Sequence, residues 1–138
     1  MYASHNLIKE IFGIAQLTTL VELNLSFNQI SDIMPLEDLV LLEKLWLNRN
    51  HILIIDPLKK LKKLKTLGLF HNEIMNDKRT IEVLEDLPSL NDLSIDGNPV
   101  SAKVSFKYEL IYRFKNLEVL DDDAVKEMDR DIAEQYFI

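Results

Sequence analysis

The sequence predicts an α/β fold: a right-handed solenoid with a short parallel concave sheet, 3₁₀ or helical returns on the convex side, and a helical C-terminal cap. Two observations carry this expectation. The first is an eleven-residue phrase that occurs four times: residues 20–30 (LVELNLSFNQI), 42–52 (LEKLWLNRNHI), 64–74 (LKTLGLFHNEI) and 90–100 (LNDLSIDGNPV). The second is the spacing, since Leu17, Leu39 and Leu61 stand 22 residues apart and Leu87 follows after 26. One such unit is too small to bury its own apolar side, so the units must stack on one another.

Within a unit the apolar spacing changes. Leu23 and Leu25 are two apart, which puts both side chains on one face of a strand. Ile30, Ile33, Leu36 and Leu39 are three apart, which suits a 3₁₀-like return. The next unit repeats the ladder from Leu39 to Leu61. Pro35 and Pro57 fall at matching positions in the returns, where a missing amide donor is harmless.

The expected organisation is a single domain over 1–138: a degenerate first repeat at 1–16, four repeats at 17–100, and a cap at 101–138. In the first repeat Asn6, Ile8, Ile11, Ile14 and Leu17 match positions 22 residues later. This open turn implies either a preceding extension or a contact at its edge. The third return is four residues longer, so a true helix is expected there. Asn76 or Asp77 would cap it, Ile81, Leu84 and Leu87 would face inward, and it would end before Pro88. Residues 101–115 read as an amphipathic helix with Ser101 as N-cap and Phe106, Leu110, Ile111 and Phe114 on one side. A short strand at 117–121 and a last helical piece with Val125, Met128 and Ile132 inward complete the cap.

Composition narrows the function. There is no cysteine, which excludes disulfides and thiolate metal sites and favours a cytoplasmic setting. No secretory signal and no apolar run long enough to cross a bilayer is visible, so no membrane role is expected. Residues 1–69 carry eight Lys and Arg against seven Asp and Glu; residues 70–138 carry eight against sixteen. That acidic half argues against nucleic acid and for a protein partner with a basic or mixed surface. The run LKKLKKLK from position 58 reads as scaffold leucines with lysines on a solvated rim.

The phrase L-x-x-L-x-L-x-x-N-x-L identifies the chain as similar to leucine-rich-repeat proteins. The 22-residue period resembles the type-1 phosphatase-regulator class, and the ending resembles that class's C-terminal cap through Tyr108, Ile111-Tyr112, Asn116-Leu117, Leu120-Asp121, Val125 and Asp129-Arg130. Similar domains occur in the outer-arm dynein light chain, in the spliceosomal A-prime protein and in a tubulin-folding cofactor. The resemblance implies a non-enzymatic adaptor that binds a protein on its concave face or rim. A microtubule- or dynein-associated light chain is the alternative, and cytoskeletal or nuclear placement goes with it. The few turns leave the arc of the long phosphatase regulators incomplete.

Two sets of residues follow from the repeat. Asn6, Asn28, Asn50, Asn72 and Asn98 are expected to turn inward and satisfy backbone groups at the bend. The x positions of the strands should face the concave side: Glu22, Lys44, Thr66, Asp92 and Val119; then Asn24, Trp46, Gly68, Ser94 and Asp121; then Ser26, Asn48, Phe70 and Asp96; then Phe27, Arg49, His71 and Gly97. The candidate partner-binding residues are Trp46, Phe70, Arg49, His71, Phe27, Lys44, Asp92 and Asp96, with Trp46 beside Gly68 as a pocket wall. Neither catalysis nor a cofactor is expected: His5, His51 and His71 are scattered, and the three glycines are isolated. A metal-dependent hydrolase using Asp92, Asp96 and Asp121 is the remaining alternative from another class, although the acidic run lacks the ligand spacing of a calcium loop. The chain is expected to be monomeric unless its N-terminal edge pairs.

Overall fold

The computed structural model describes residues 1–137. Six strands form one sheet in chain order: β1 (Glu22–Asn24), β2 (Lys44–Trp46), β3 (Thr66–Gly68), β4 (Asp92–Ser94), β5 (Val119–Leu120) and β6 (Asp123–Ala124). The first five are parallel, and Leu23, Leu45, Leu67, Leu93 and Leu120 stand in register across them. β6 folds back antiparallel on β5. Tyr2 makes a single parallel bridge to Asn24, so the first turn joins the sheet at its outer edge.

The register follows from the repeat. One residue of alternation slip would turn every leucine of a strand into solvent, and each of these five leucines is at most 4% exposed. The following rungs, Leu25, Leu47, Leu69 and Ile95, then Ile30, Ile52, Ile74 and Val100, are buried too. The ladder fails at one end. Leu17 is 43% exposed and Leu20 only half-buried, since among the described residues no turn covers their outer side.

Three 3₁₀ returns, Phe12–Gln16, Met34–Leu36 and Asp56–Lys60, line the convex side, with Pro35 and Pro57 at the start of the last two. The longer third return forms α1 (Asp77–Glu85). Asn76 is its cap, accepting from the Arg79 amide at 3.0 Å, while Asp77 is the first helical residue. Ile81, Leu84 and Leu87 are buried, and Thr80 and Val83 join them.

The cap departs from the expected helix over 101–115. Pro99–Ala102 is a 3₁₀ turn, and α2 spans Val104–Arg113. Ser101 does not cap α2; its hydroxyl donates to the Ile95 carbonyl at 2.7 Å. Phe106, Leu110 and Ile111 are buried as expected. In α3 (Glu127–Phe137), Met128 is 70% exposed rather than inward, and Ala133 is fully buried. The inward face of α3 is set by Arg130, Ala133 and Phe137. At about 100° per residue, Met128 lies about 200° around the helix from Arg130.

A candidate protein-interaction site on the concave face

The inward asparagines hold the turns together. Asn28, Asn50, Asn72 and Asn98 are all buried. Each carboxamide oxygen accepts a backbone N–H of the preceding turn, as Asn50 does from Ile30 at 3.0 Å and Asn72 from Ile52 at 3.1 Å. Each NH₂ donates to a carbonyl of its own turn and one of the turn before. Asn6 occupies the same slot but is exposed, and its NH₂ reaches only Ala3 and Ser4.

On the concave side Trp46 pairs directly with Gly68, and Trp46 and Phe70 are both half-buried. Gly68 does more than leave a gap. A Cβ there would meet the Asn48 carboxamide oxygen at 2.8 Å, and that oxygen accepts from the Phe70 amide at 2.8 Å. The glycine therefore leaves room for a strut that fixes Phe70. Ser26, expected on the open concave surface, is only 3% exposed; its hydroxyl accepts from the Asn48 amide at 3.1 Å. β1 ends at Asn24, two residues earlier, and the Ser26 hydroxyl is turned toward the next turn instead.

The next position carries a feature absent from the sequence reading. His5, Phe27, Arg49 and His71 all have φ between 53° and 60°, and Gly97 has φ of 78°. Non-glycine residues seldom adopt this left-handed conformation, yet here the bend ahead of each asparagine imposes it turn after turn. The side chains consequently stack. The His5 and Phe27 rings lie 4.3 Å apart, and Arg49 sits 5.6 Å from the Phe27 centroid and 5.3 Å from that of Phe70. His71 meets Phe70 edge-on and lies against Gly97, where a Cβ would be 2.9 Å from its ring.

Between these elements lies a concave hollow of about 260 Å³. Trp46, Asn48 and Phe70 form one wall; Asp92, Asp96, Asp121 and Asp122 form the other. Of the sequence candidates, the structure thus gathers Trp46, Phe70, Asp92 and Asp96 around one space. Phe27, Arg49 and His71 form the adjoining strip. Lys44 stands apart, 3.7 Å from Glu22 on the outer row. Asp121, expected in the concave row beside Ser94, lines the hollow, and Asp122, not among the expected residues, joins it. The only sequence signal for Asp122 was the acidic run that follows the last strand.

Burial holds the Asp92 carboxyl above its ordinary value, and the charge of Asp122 adds to the effect. Burial also raises Asp121, against the lowering effect of the Ile95 and Asp96 amides that it accepts at 2.7 and 2.9 Å. Among the described residues, no lysine, arginine or histidine forms an ion pair with any of the four aspartates. No group of three or more His, Asp or Glu among them is arranged to hold a metal ion.

A carboxyl whose pKa is raised on folding binds its proton more tightly when folded, so it costs stability once the pH passes above the raised value. Asp92→Asn should therefore raise Tm at pH 7 by about 1–2 °C. The gain should vanish below the ordinary carboxylate range, where Asp92 is protonated in both states. A lowered Tm at pH 7, followed by circular dichroism, would contradict the assigned environment.

A stacked solenoid of parallel strands with an asparagine ladder defines a class, and the chain belongs to the leucine-rich repeat family, which it matches over residues 8–138. Among solved structures it is similar to a chain of the Drosophila melanogaster SNF/U2A′ complex, at 28% identity and a TM-score of 0.77, covering 99% of this chain and 79% of that one. An internalin from Listeria monocytogenes is 32% identical with a TM-score of 0.72, covering 83% of this chain and 32% of the other. A leucine-rich-repeat protein of Leptospira interrogans is 27% identical with a TM-score of 0.72, over 86% of this chain and 30% of that one.

Proposed function

We propose that the chain is a non-enzymatic adaptor that docks a protein partner on its concave face. The observation that carries this reading is the hollow itself. An unpartnered sheet face presents a tryptophan and a phenylalanine, bordered by a stacked aromatic and arginine strip. Trp and Arg are the residue types most enriched at interface hot spots, and a fixed aromatic surface loses little freedom on binding. The Drosophila relative, of which this chain covers 79%, was solved in a complex, in keeping with a protein partner. The finer placement, in the phosphatase-regulator class with kinship to the dynein light chain, rests on the 22-residue period and the cap motif. A cytoplasmic setting belongs to the same proposal.

The test is a double variant, Trp46→Glu with Phe70→Glu, compared with wild type in quantitative capture from an extract of the source cell. Both side chains are half-buried, so the fold should survive at a cost of about 1 kcal/mol. Partners held on the concave face should lose about thirtyfold or more in affinity, as truncated hot spots commonly do. Capture unchanged in a folded double variant would move the interface elsewhere.

A further inference from the structure

We infer that the concave hollow binds an arginine side chain presented by the protein partner, with the guanidinium between the Trp46–Phe70 wall and the aspartates facing it. This rests on the concave-face reading above and gives that face a chemistry. The hollow is amphipathic across its width, and on its acidic side the carboxylates of Asp92, Asp96 and Asp122 have no hydrogen-bond or ion-pair partner among the described residues. The whole chain carries a net charge of −7. A ligand that complements both walls must be flat and apolar on its faces and cationic at its edge. Guanidinium is such a group: it stacks on aromatic rings and donates in a fork that matches carboxylates, whereas an ammonium is a compact, strongly hydrated point charge.

The chain already displays half of this arrangement. Arg49, outside the lining of the hollow, places its guanidinium 5.3 Å from the centroid of Phe70. The aromatic surface on this edge therefore accepts an arginine in its own fold. A metal ion is the poorer occupant, because the aspartates are not gathered into a metal-holding group. Asp121 is fixed by two backbone amides, which leaves the acidic wall preorganised before any partner arrives. Because a bound cation favours ionised carboxylates, affinity should fall as the pH is lowered through the raised values of Asp92 and Asp121.

The experiment is an amide-resolved NMR titration of the full chain at low ionic strength with N-acetyl-arginine amide, N-acetyl-lysine amide and N-acetyl-citrulline amide. The arginine probe should give saturable shifts at the Gly68 and Ser94 amides and the Trp46 indole. The lysine probe should bind at least fivefold more weakly and the neutral citrulline probe not at all. Asp92→Asn with Asp96→Asn should weaken arginine binding about tenfold, and Glu37→Gln with Asp38→Asn, in the second return, should leave it unchanged. Equal binding of arginine and lysine, undiminished binding by the Asp92/Asp96 variant, or no saturable shift would each overturn the inference. The Trp46/Phe70 capture experiment separates the two claims. Lost capture with a silent arginine titration sinks only the arginine pocket, whereas saturable arginine binding with unchanged capture sinks the concave-face reading.

Discussion

Asn50→Leu is expected to lower the free energy of unfolding by about 2–3 kcal/mol, although leucine nearly matches asparagine in size and leaves little cavity. Asn50 is 4% exposed and makes three good bonds: it accepts from the Ile30 amide and donates to the Leu25 and Leu47 carbonyls. The loss does not fall on these three groups equally. Leu25 keeps the NH₂ of Asn28 at 2.9 Å, and Leu47 keeps that of Asn72 at 2.9 Å. The Ile30 amide has no second acceptor and becomes a buried orphan donor. Asn6→Leu supplies the comparison, since Asn6 is exposed and its removal should change the urea midpoint little. A midpoint for Asn50→Leu equal to wild type would refute the ladder as the bond between turns.

The second large effect is expected at the other end of the molecule. The Arg130 guanidinium on α3 donates to the carbonyls of Ile111, Phe114, Lys115 and Leu117, around the C-terminal end of α2. Helix ends leave carbonyls without partners and carry partial negative charge, so one cation meets both needs. Arg130→Ala should cost about 1.5–3 kcal/mol, the range for hydrogen bonds to a charged group, and should loosen α3 from α2. Arg130→Lys should recover little, because a single ammonium cannot span four carbonyls. Limited proteolysis near Lys126 reports the loosening, and thermal unfolding reports the stability. Deleting 117–138 should go further, exposing the apolar flank of β4 at Leu93 and Ile95 and causing aggregation. A soluble truncation with cooperative unfolding would show that the terminal segment does not seal the stack.

The strand register was legible because two independent periods agree: two within L-x-L and 22 between turns. They place Trp46 beside Gly68 without any further information. The left-handed row was not legible. Phenylalanine and arginine carry no local preference for positive φ and histidine only a modest enrichment, and only Gly97 sits there without strain. The bend and the following asparagine impose that conformation through tertiary bonds. Ser26 was misplaced because alternation holds only as long as the strand does, and each strand is three residues or fewer. The pairing of Leu93 with Leu120 sets Asp121 in the expected row beside Ser94, and Asp122 enters the hollow next to it. Asp122 was not legible, because it lies beyond the end of β5, where alternation no longer assigns a face. Met128 fell on the wrong side of α3 because its inward face is anchored by a polar residue, Arg130, which an apolar pattern does not mark.

The asparagine carboxamides tie each turn only to its neighbour, so in the free chain local opening should begin at an end and advance turn by turn. The hollow is built differently: its walls come from β2, β3, β4 and the segment after β5. A partner seated there requires all four to be stacked at once, and its binding free energy opposes any opening that separates them. Amide exchange from Leu45 to Leu120 would then slow together on occupancy. The Ala3 and His5 amides, which bond the first turn to Asn24 and Ser26 outside that span, would keep their own rates. Occupancy thereby fuses four separately fraying turns into one exchanging unit.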